Sequence, residues 1–241
     1  MSSLDWPVLA EEISRGTARD PLQHFRPRTK RECPLCGFTG YFLSAGPRQE
    51  ARCPNCASKE RDRIIALHLK RIGLDMTGKR ILHFSAERPF FRRWRNNPAY
   101  VAGDIKKSPV ANAVVDITQL NYPDNEFDVI VCNHVLEHVA EDAKGMAECY
   151  RVMKPGGVGI FSVPMDHTAA ATWNPPPGTP KEEVERICGR THLRLYGLDF
   201  PKLLAAHGFE AQEIVFSAEE NERYRLAAEK VYAVRKPANA A

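Results

Sequence analysis

The chain has 241 residues, of which 43% are hydrophobic and 27% charged, with a formal net charge of +4. That length holds one large domain plus a small one, and the balance is that of a globular protein with a buried core. The slight basic excess admits nucleic acid as a partner without arguing for it, and no apolar run approaches the roughly 18 residues that a membrane span needs. The start, MSSLDWPVLAEEIS, carries early acids and no apolar core, so it does not read as a secretory signal. The expectation is a reducing, cytoplasmic setting without membrane attachment, in which cysteines serve as thiols or metal ligands.

Residues 1–30 read as an N-terminal extension and 31–58 as a small metal module. Cys33-Pro34-Leu35-Cys36 and Cys53-Pro54-Asn55-Cys56 form two CxxC pairs separated by Gly37 to Arg52, a zinc-ribbon spacing. Four thiolates would close a tetrahedral shell around Zn²⁺ at about 2.3 Å, with no position left for substrate, so the ion would be structural. Phe38–Leu43 and Glu50–Arg52 read as the ribbon's short strands. A redox pair or unrelated thiols are the alternatives. Arg26, Arg28, Lys30 and Arg31 ahead of the ribbon are either a solvated charge run or a docking face. Cys132, Cys149 and Cys188 have no metal spacing and read as buried side chains.

In residues 59–78, Ile65, Leu69 and Ile72 recur on one helical face, and Gly73 is a stop, giving a linking helix. Arg61 and Arg63 on it would pair with nearby acids. Residues 79–241 then alternate apolar runs with helical patterns, the mark of a parallel sheet: Ile81–Phe84, Tyr100–Ile105, a run ending at Asp116, Val129–Cys132 and Val158–Val163. Asp199–His207 reads as a helix, and Phe209–Phe216 and Lys230–Arg235 as closing antiparallel strands. Ligands of such sheets sit at the carboxyl ends of the strands, where Asp104, Asp116, Asn133 and His134 all fall.

The stretch DITQLNYPDNEFDVIVCNHVLEHV with the later VMKPGG, between Asp116 and Gly157, resembles the second half of the nucleotide site of class I S-adenosylmethionine-dependent methyltransferases. The resemblance implies an α/β, Rossmann-like, seven-stranded methyltransferase sheet preceded by the zinc ribbon, with S-adenosyl-L-methionine as cofactor. In that family the first loop is an acid followed by a glycine-rich turn. Here it is His83-Phe84-Ser85-Ala86-Glu87, without glycine. His83 stands in the acid's place, small Ser85 and Ala86 permit close approach, and Glu87 can hold the cofactor's ammonium. A CxxC…CPxC ribbon, an ERDR helix and such a loop together resemble a bacterial subset in which the glycine-free loop is usual. The resemblance further implies that Asp104 accepts from the ribose hydroxyls, Ile105 packs on adenine, and Asp116 accepts from the adenine amino group, with Ile117 offering its N–H. Asn133 and His134 would lie beside the methionine part. For each aspartate a loop or helix cap is the alternative. The LEHV phrase with Glu137 and His138 reads as packing and capping.

After Val163 periodicity fails and prolines dominate, so residues 164–197 read as a lid over the sheet edge. Thr191-His192-Leu193-Arg194-Leu195-Tyr196-Gly197 resembles a segment bordering the acceptor pocket in small-molecule methyltransferases. His167, Trp173, His192, Arg194 and Tyr196 are the acceptor-binding candidates, Arg194 as a clamp for a carboxylate or phosphate. His134, then His192, then His167 are the candidate general bases. The expected function is methyl transfer to an oxygen or nitrogen of a small molecule, such as a sugar or secondary metabolite. Methylation of RNA or protein docked by the ribbon, and non-catalytic cofactor binding, are the alternatives. Oligomeric state has no signal in the sequence.

Overall fold

The computed structural model describes residues 28–226 and 229–239, so Arg26 and most of the N-terminal extension lie outside the described residues. They form two compact units: one of residues 28–74 and 215–226, the other of 75–214 and 229–239.

The first unit is built on two small hairpins. β1 (Arg31–Glu32) pairs antiparallel with β2 (Thr39–Gly40), and β3 (Leu43–Ala45) with β4 (Arg48–Arg52). Each CxxC knuckle closes on itself, with Gly37 N donating to Cys33 O and Ala57 N to Cys53 O, both at 2.9 Å. Helix Glu60–Arg71 and helix Ala218–Tyr224 complete the unit. Cys33, Phe42 and Cys53 pack together between the knuckles, and Ile64, Ile65, Leu67 and Leu69 of helix Glu60–Arg71 are buried as well. Arginines do much of the remaining work. Arg63, fully buried, donates from Nη1 to Ala51 O (3.0 Å) and Ser58 O (2.8 Å), from Nε to Tyr224 O (2.7 Å) and from Nη2 to Arg225 O (2.6 Å). Its guanidinium also lies 4.7 Å from the Phe42 ring centroid. Burial lowers its pKa from the ordinary arginine value. Carbonyl oxygens, not the acids expected from the sequence, are the hydrogen-bond partners of Arg63. Arg31 is likewise buried, paired with Glu50 (2.7 Å) and Glu222, so its charge is spent inside the unit.

The second unit carries a seven-stranded sheet in the order β10-β11-β9-β8-β5-β6-β7. The strands are β5 (Ile81–Phe84), β6 (Tyr100–Asp104), β7 (Ala113–Val114), β8 (Phe127–Asn133), β9 (Met153–Ser162), β10 (Glu210–Glu213) and β11 (Tyr232–Arg235). β5 to β9 pair in parallel, and β11 runs against both its neighbours. The central strands are apolar on both faces, as sheets covered on two sides require. Ile81, Leu82, Val129, Ile130 and Val131 are fully buried. Gly159 lets β9 and β11 approach closely, since a Cβ there would stand 2.6 Å from Val234 Cγ2. Cys132 and Cys149 are fully buried thiols whose pKa burial raises, in keeping with a packing role.

The expected run Phe209–Phe216 is shorter as a strand. It pairs only over Glu210–Glu213, and Val215 onward folds with the first unit, where Arg71 Nη1 donates to Val215 O at 2.9 Å. β9 is longer than expected because its pairing with β8 begins at Met153. Among the described residues no helix is long and apolar enough to cross a membrane.

Replacing Arg63 by Ala strips four carbonyls of their donor, two of them in buried bonds (Ala51 and Ser58), and each buried loss costs about 1–3 kcal/mol. The variant should lose at least about 3 kcal/mol of stability, read as a lower urea midpoint.

Candidate active site

Strand order reverses between β5 and β8, and at the carboxyl ends of these strands lies a cleft of about 450 Å³. Phe84 and Ser85 line it from the end of β5, Gly103, Asp104 and Ile105 from the end of β6, and Val115 to Thr118 from beyond β7. Val135 and residues 138–141 close the far wall. The volume falls within the usual range for a small ligand. Ile105 is 61% exposed, a large apolar side chain standing open in the cleft wall.

The glycine-free loop makes its turn without glycine. Ser85 takes φ 45°, in the left-handed region that glycine ordinarily fills, while its N–H donates to Gly103 O at 2.8 Å. Its hydroxyl reaches Asp104 Oδ2 at 3.4 Å, and Asp104 Oδ1 accepts from Lys106 N at 3.3 Å. Asp116 Oδ1 accepts from the N–H and the hydroxyl of Thr118, both at 2.8 Å. The hydrogen bond from the Thr118 backbone holds the Asp116 carboxyl below its ordinary pKa. Asp116 therefore caps a turn and lines the cleft at once.

His83 is fully buried and does not line the cleft. One ring nitrogen bonds Tyr100 Oη (3.0 Å) and the other Glu87 Oε2 (2.8 Å). Glu87 Oε1 accepts from Asn133 Nδ2 at 3.2 Å, and Asn133 Oδ1 accepts from Ser162 Oγ at 2.9 Å. Asn133 is buried too, and Ala86 is buried beside Ser85. The residue in the acid's place thus orients the replacement acid, Glu87. A direct cofactor contact for the His83 ring is corrected by its burial. His134 also has a left-handed backbone (φ 51°). Its Nε2 bonds Glu229, and its Nδ1 lies 3.5 Å from Glu137 Oε1.

The segment expected as a lid is tied down at several points. Met165 bridges Tyr196, Trp173 bridges Leu195, and Lys181–Cys188 is a helix. Arg194, buried, donates to Val139 O (3.0 Å), Ala140 O (2.8 Å) and Asn174 Oδ1 (3.1 Å) and pairs with Asp142 at 2.5 Å. Tyr196, fully buried, donates to the same carboxylate at 2.6 Å. The anion clamp expected of Arg194 is therefore corrected. Its guanidinium is consumed in latching the segment to residues 139–142, and Tyr196 serves the same latch. His167 lies exposed in an Asp166–Thr168 turn and lines neither this cleft nor a second one, of about 480 Å³. The second cleft is lined by Asn174, Pro175, Lys181 and Thr191 to Arg194, among others, so it contains His192 but not Trp173.

In the first unit the sulfurs of Cys33, Cys36, Cys53 and Cys56 lie within 4.8 Å of one another, with Cys33–Cys56 at 3.6 Å and Cys36–Cys53 at 3.7 Å. Sulfurs about 2.3 Å from one tetrahedral ion stand about 3.8 Å apart, so the cluster fits a zinc ribbon.

Residues 84–161 match the family described as "Methyltransferase domain". The "Probable S-adenosylmethionine-dependent methyltransferase" of Mycolicibacterium smegmatis is 32% identical over 99 residues, covering 41% of this chain and 34% of that one. The ubiquinone biosynthesis O-methyltransferase of Methylococcus capsulatus is 51% identical over 37 residues, covering 15% of this chain and 16% of that one. The chain thus spans about a third or less of the length of these relatives. Among solved structures, the [4+2]-cyclase SpnF superposes with a TM-score of 0.51 at 22% identity, over 89% of this chain and 90% of that one, a likeness of fold. Within the second unit, residues 84–161 are thus similar to that methyltransferase family, and the sheet has the α/β fold shared with the superposed structure.

Arg194→Ala should unlatch the anchored segment at a cost of about 3 kcal/mol, as for other broken buried pairs. Trypsin should then cut the segment at Lys181, Arg186 or Arg190 faster than in the parent, as followed by mass spectrometry.

Proposed function

We propose that this chain transfers a methyl group from S-adenosylmethionine to an oxygen or nitrogen of a small-molecule acceptor, with a structural zinc ion in its ribbon. The observation that carries the reading is the cleft at the strand reversal, with Asp104 and Asp116 on its wall, inside the span that matches the methyltransferase family. Asp104 would hold the ribose hydroxyls, since a carboxylate offers two acceptors for two donors. Ile105 and Ile117 would flank adenine, and Asp116 would accept from its amino group. Glu87, oriented by His83 and Asn133, would meet the ammonium.

The bound cofactor supplies an already activated methyl on a sulfonium, so alignment of the acceptor is the main demand on the protein. The acceptor's lone pair forms the new bond as the carbon–sulfur bond breaks, and a neutral hydroxyl also gives up a proton. His192 is the candidate base that lies in a cleft. His134 is engaged by Glu229, and His167 faces outward. A small acceptor is favoured because the second cleft, under the latched segment, is of small-molecule size. The ubiquinone O-methyltransferase similarity is compatible with this. The basic Arg31, spent in internal ion pairs, lends no support to an RNA-docking ribbon.

Calorimetry should show one S-adenosylmethionine per chain, and Asp104→Ala should weaken it by about tenfold or more, the worth of hydrogen bonds to a charged group. Absence of binding by the parent chain would sink the proposal. With labelled cofactor, label appearing only in RNA, and in no metabolite fraction, would reverse the choice of acceptor.

The purified chain should carry one zinc, and Cys53→Ser should release it and unfold the ribbon, as structural zinc supplies folding energy. A variant that keeps full zinc and full stability would remove the metal from the account.

A further inference from the structure

Glu137 is fully buried, and neither carboxylate oxygen has a hydrogen-bond partner. Leaving a carboxylate in this state is costly unless a cation meets it. Around it stand imidazoles. His138 Nε2 lies 3.8 Å from Glu137 Oε1, and one ligand atom each of Glu137, His138 and His192 lie within 4.8 Å of one another. The two histidine rings meet edge to face with centroids 4.8 Å apart.

Each ring is held by its other nitrogen. His138 Nδ1 is 2.9 Å from Thr191 O, and His192 Nδ1 is 2.6 Å from Cys188 O. A carbonyl oxygen can only accept, so Nδ1 carries the hydrogen in both rings, and each Nε2 presents a lone pair. A backbone carbonyl fixing the distal N–H is the usual support of a metal-bound histidine. The spread of the three ligand atoms is about an ångström wider than one ion's shell, in which metal–ligand bonds are about 2.0–2.2 Å. The His138 side chain is 41% exposed, and binding an ion would require it to shift toward Glu137.

We propose that Glu137, His138 and His192 form a second metal site, separate from the four cysteines, for a divalent transition ion such as Mn²⁺, Co²⁺ or Fe²⁺. Two imidazoles and one carboxylate suit these ions better than Ca²⁺ or Mg²⁺, and three protein ligands leave open positions. His138 lines the cleft assigned to the cofactor, and His192 lines the second cleft. An ion there would bind an acceptor hydroxyl and lower its pKa, replacing His192 as the activating group, since the one Nε2 lone pair cannot both ligate and accept a proton. That role rests on the methyl-transfer reading, whereas metal binding itself does not.

The test is a Mn²⁺ titration of the full zinc-loaded chain, following loss of the free-ion electron paramagnetic resonance signal. Four thiolates select zinc over Mn²⁺, so the ribbon stays out of the measurement. One Mn²⁺ should bind per parent chain. His192→Ala and Glu137→Gln, each checked for folding by circular dichroism, should each weaken it by about tenfold or more, as loss of a ligand must exceed the effect of losing its support. If Glu137→Gln does not fold, His192→Ala decides. No Mn²⁺ bound by the parent, or unchanged affinity in His192→Ala, would overturn the site. Calorimetry with S-adenosylmethionine on the same samples separates the two readings: lost cofactor binding with Mn²⁺ retained would refute methyl transfer and leave the metal site standing.

Discussion

The constraint on which the site depends is the reversal of strand order between β5 and β8. From β5 the chain adds β6 and β7 on one side, and β8 and β9 lie on the other. The connections leaving β5 and β8 must therefore diverge, and no backbone closes the edge above them. The strands below are buried on both faces, so polar side chains find room only at their carboxyl ends. Ser85, Asp104 and Asp116 reach that one edge from three separate strand ends, and His138 arrives from the turn after β8.

Without glycine, the loop after β5 still had to let the backbone come close to a ligand. Ser85 accepts the left-handed backbone itself, a strain of about 1–2 kcal/mol for a residue with a Cβ. A bond from its N–H to Gly103 O helps to hold it there. The chain from Tyr100 through His83, Glu87 and Asn133 to Ser162 ties β6, β5, β8 and β9 together. A carboxylate held by two buried donors is already oriented before any ligand arrives, and such preorganisation is what a binding site gains from strain.

Much of the sheet was legible in the sequence because its strands are near-continuous apolar runs ending in acids or Asn-His. The strand ends of β5, β6 and β8 are where the pattern puts them, and the four cysteines meet as their spacing requires. The errors have a common source. Arg194 looks like a free anion clamp in a line of residues, and only the fold shows Asp142 turned toward it and toward Tyr196, although Arg194 still lines the second cleft. His83 holds the position of a ligand-binding acid, yet its neighbour Tyr100 lies 17 residues on and draws it inward. A sequence records which groups are present, whereas the partners that consume them come from distant segments.

Buried charge separates scaffold from candidate function here. Arg63 and Glu137 are each wholly enclosed. Arg63 meets four carbonyl oxygens, so its burial is compensated and its purpose is to tie three chain segments together. Glu137 has no hydrogen-bonded donor, its nearest nitrogens being His134 Nδ1 at 3.5 Å and His138 Nε2 at 3.8 Å, although LEHV read as a packing phrase. Packing alone cannot account for it, since an apolar side chain of the same size would fill that space without a desolvation cost. Two imidazoles with their lone pairs turned free by backbone carbonyls lie beside it. A carboxylate stripped of donors next to two ready nitrogen ligands is an arrangement that folding alone does not favour, and a cation removes its cost.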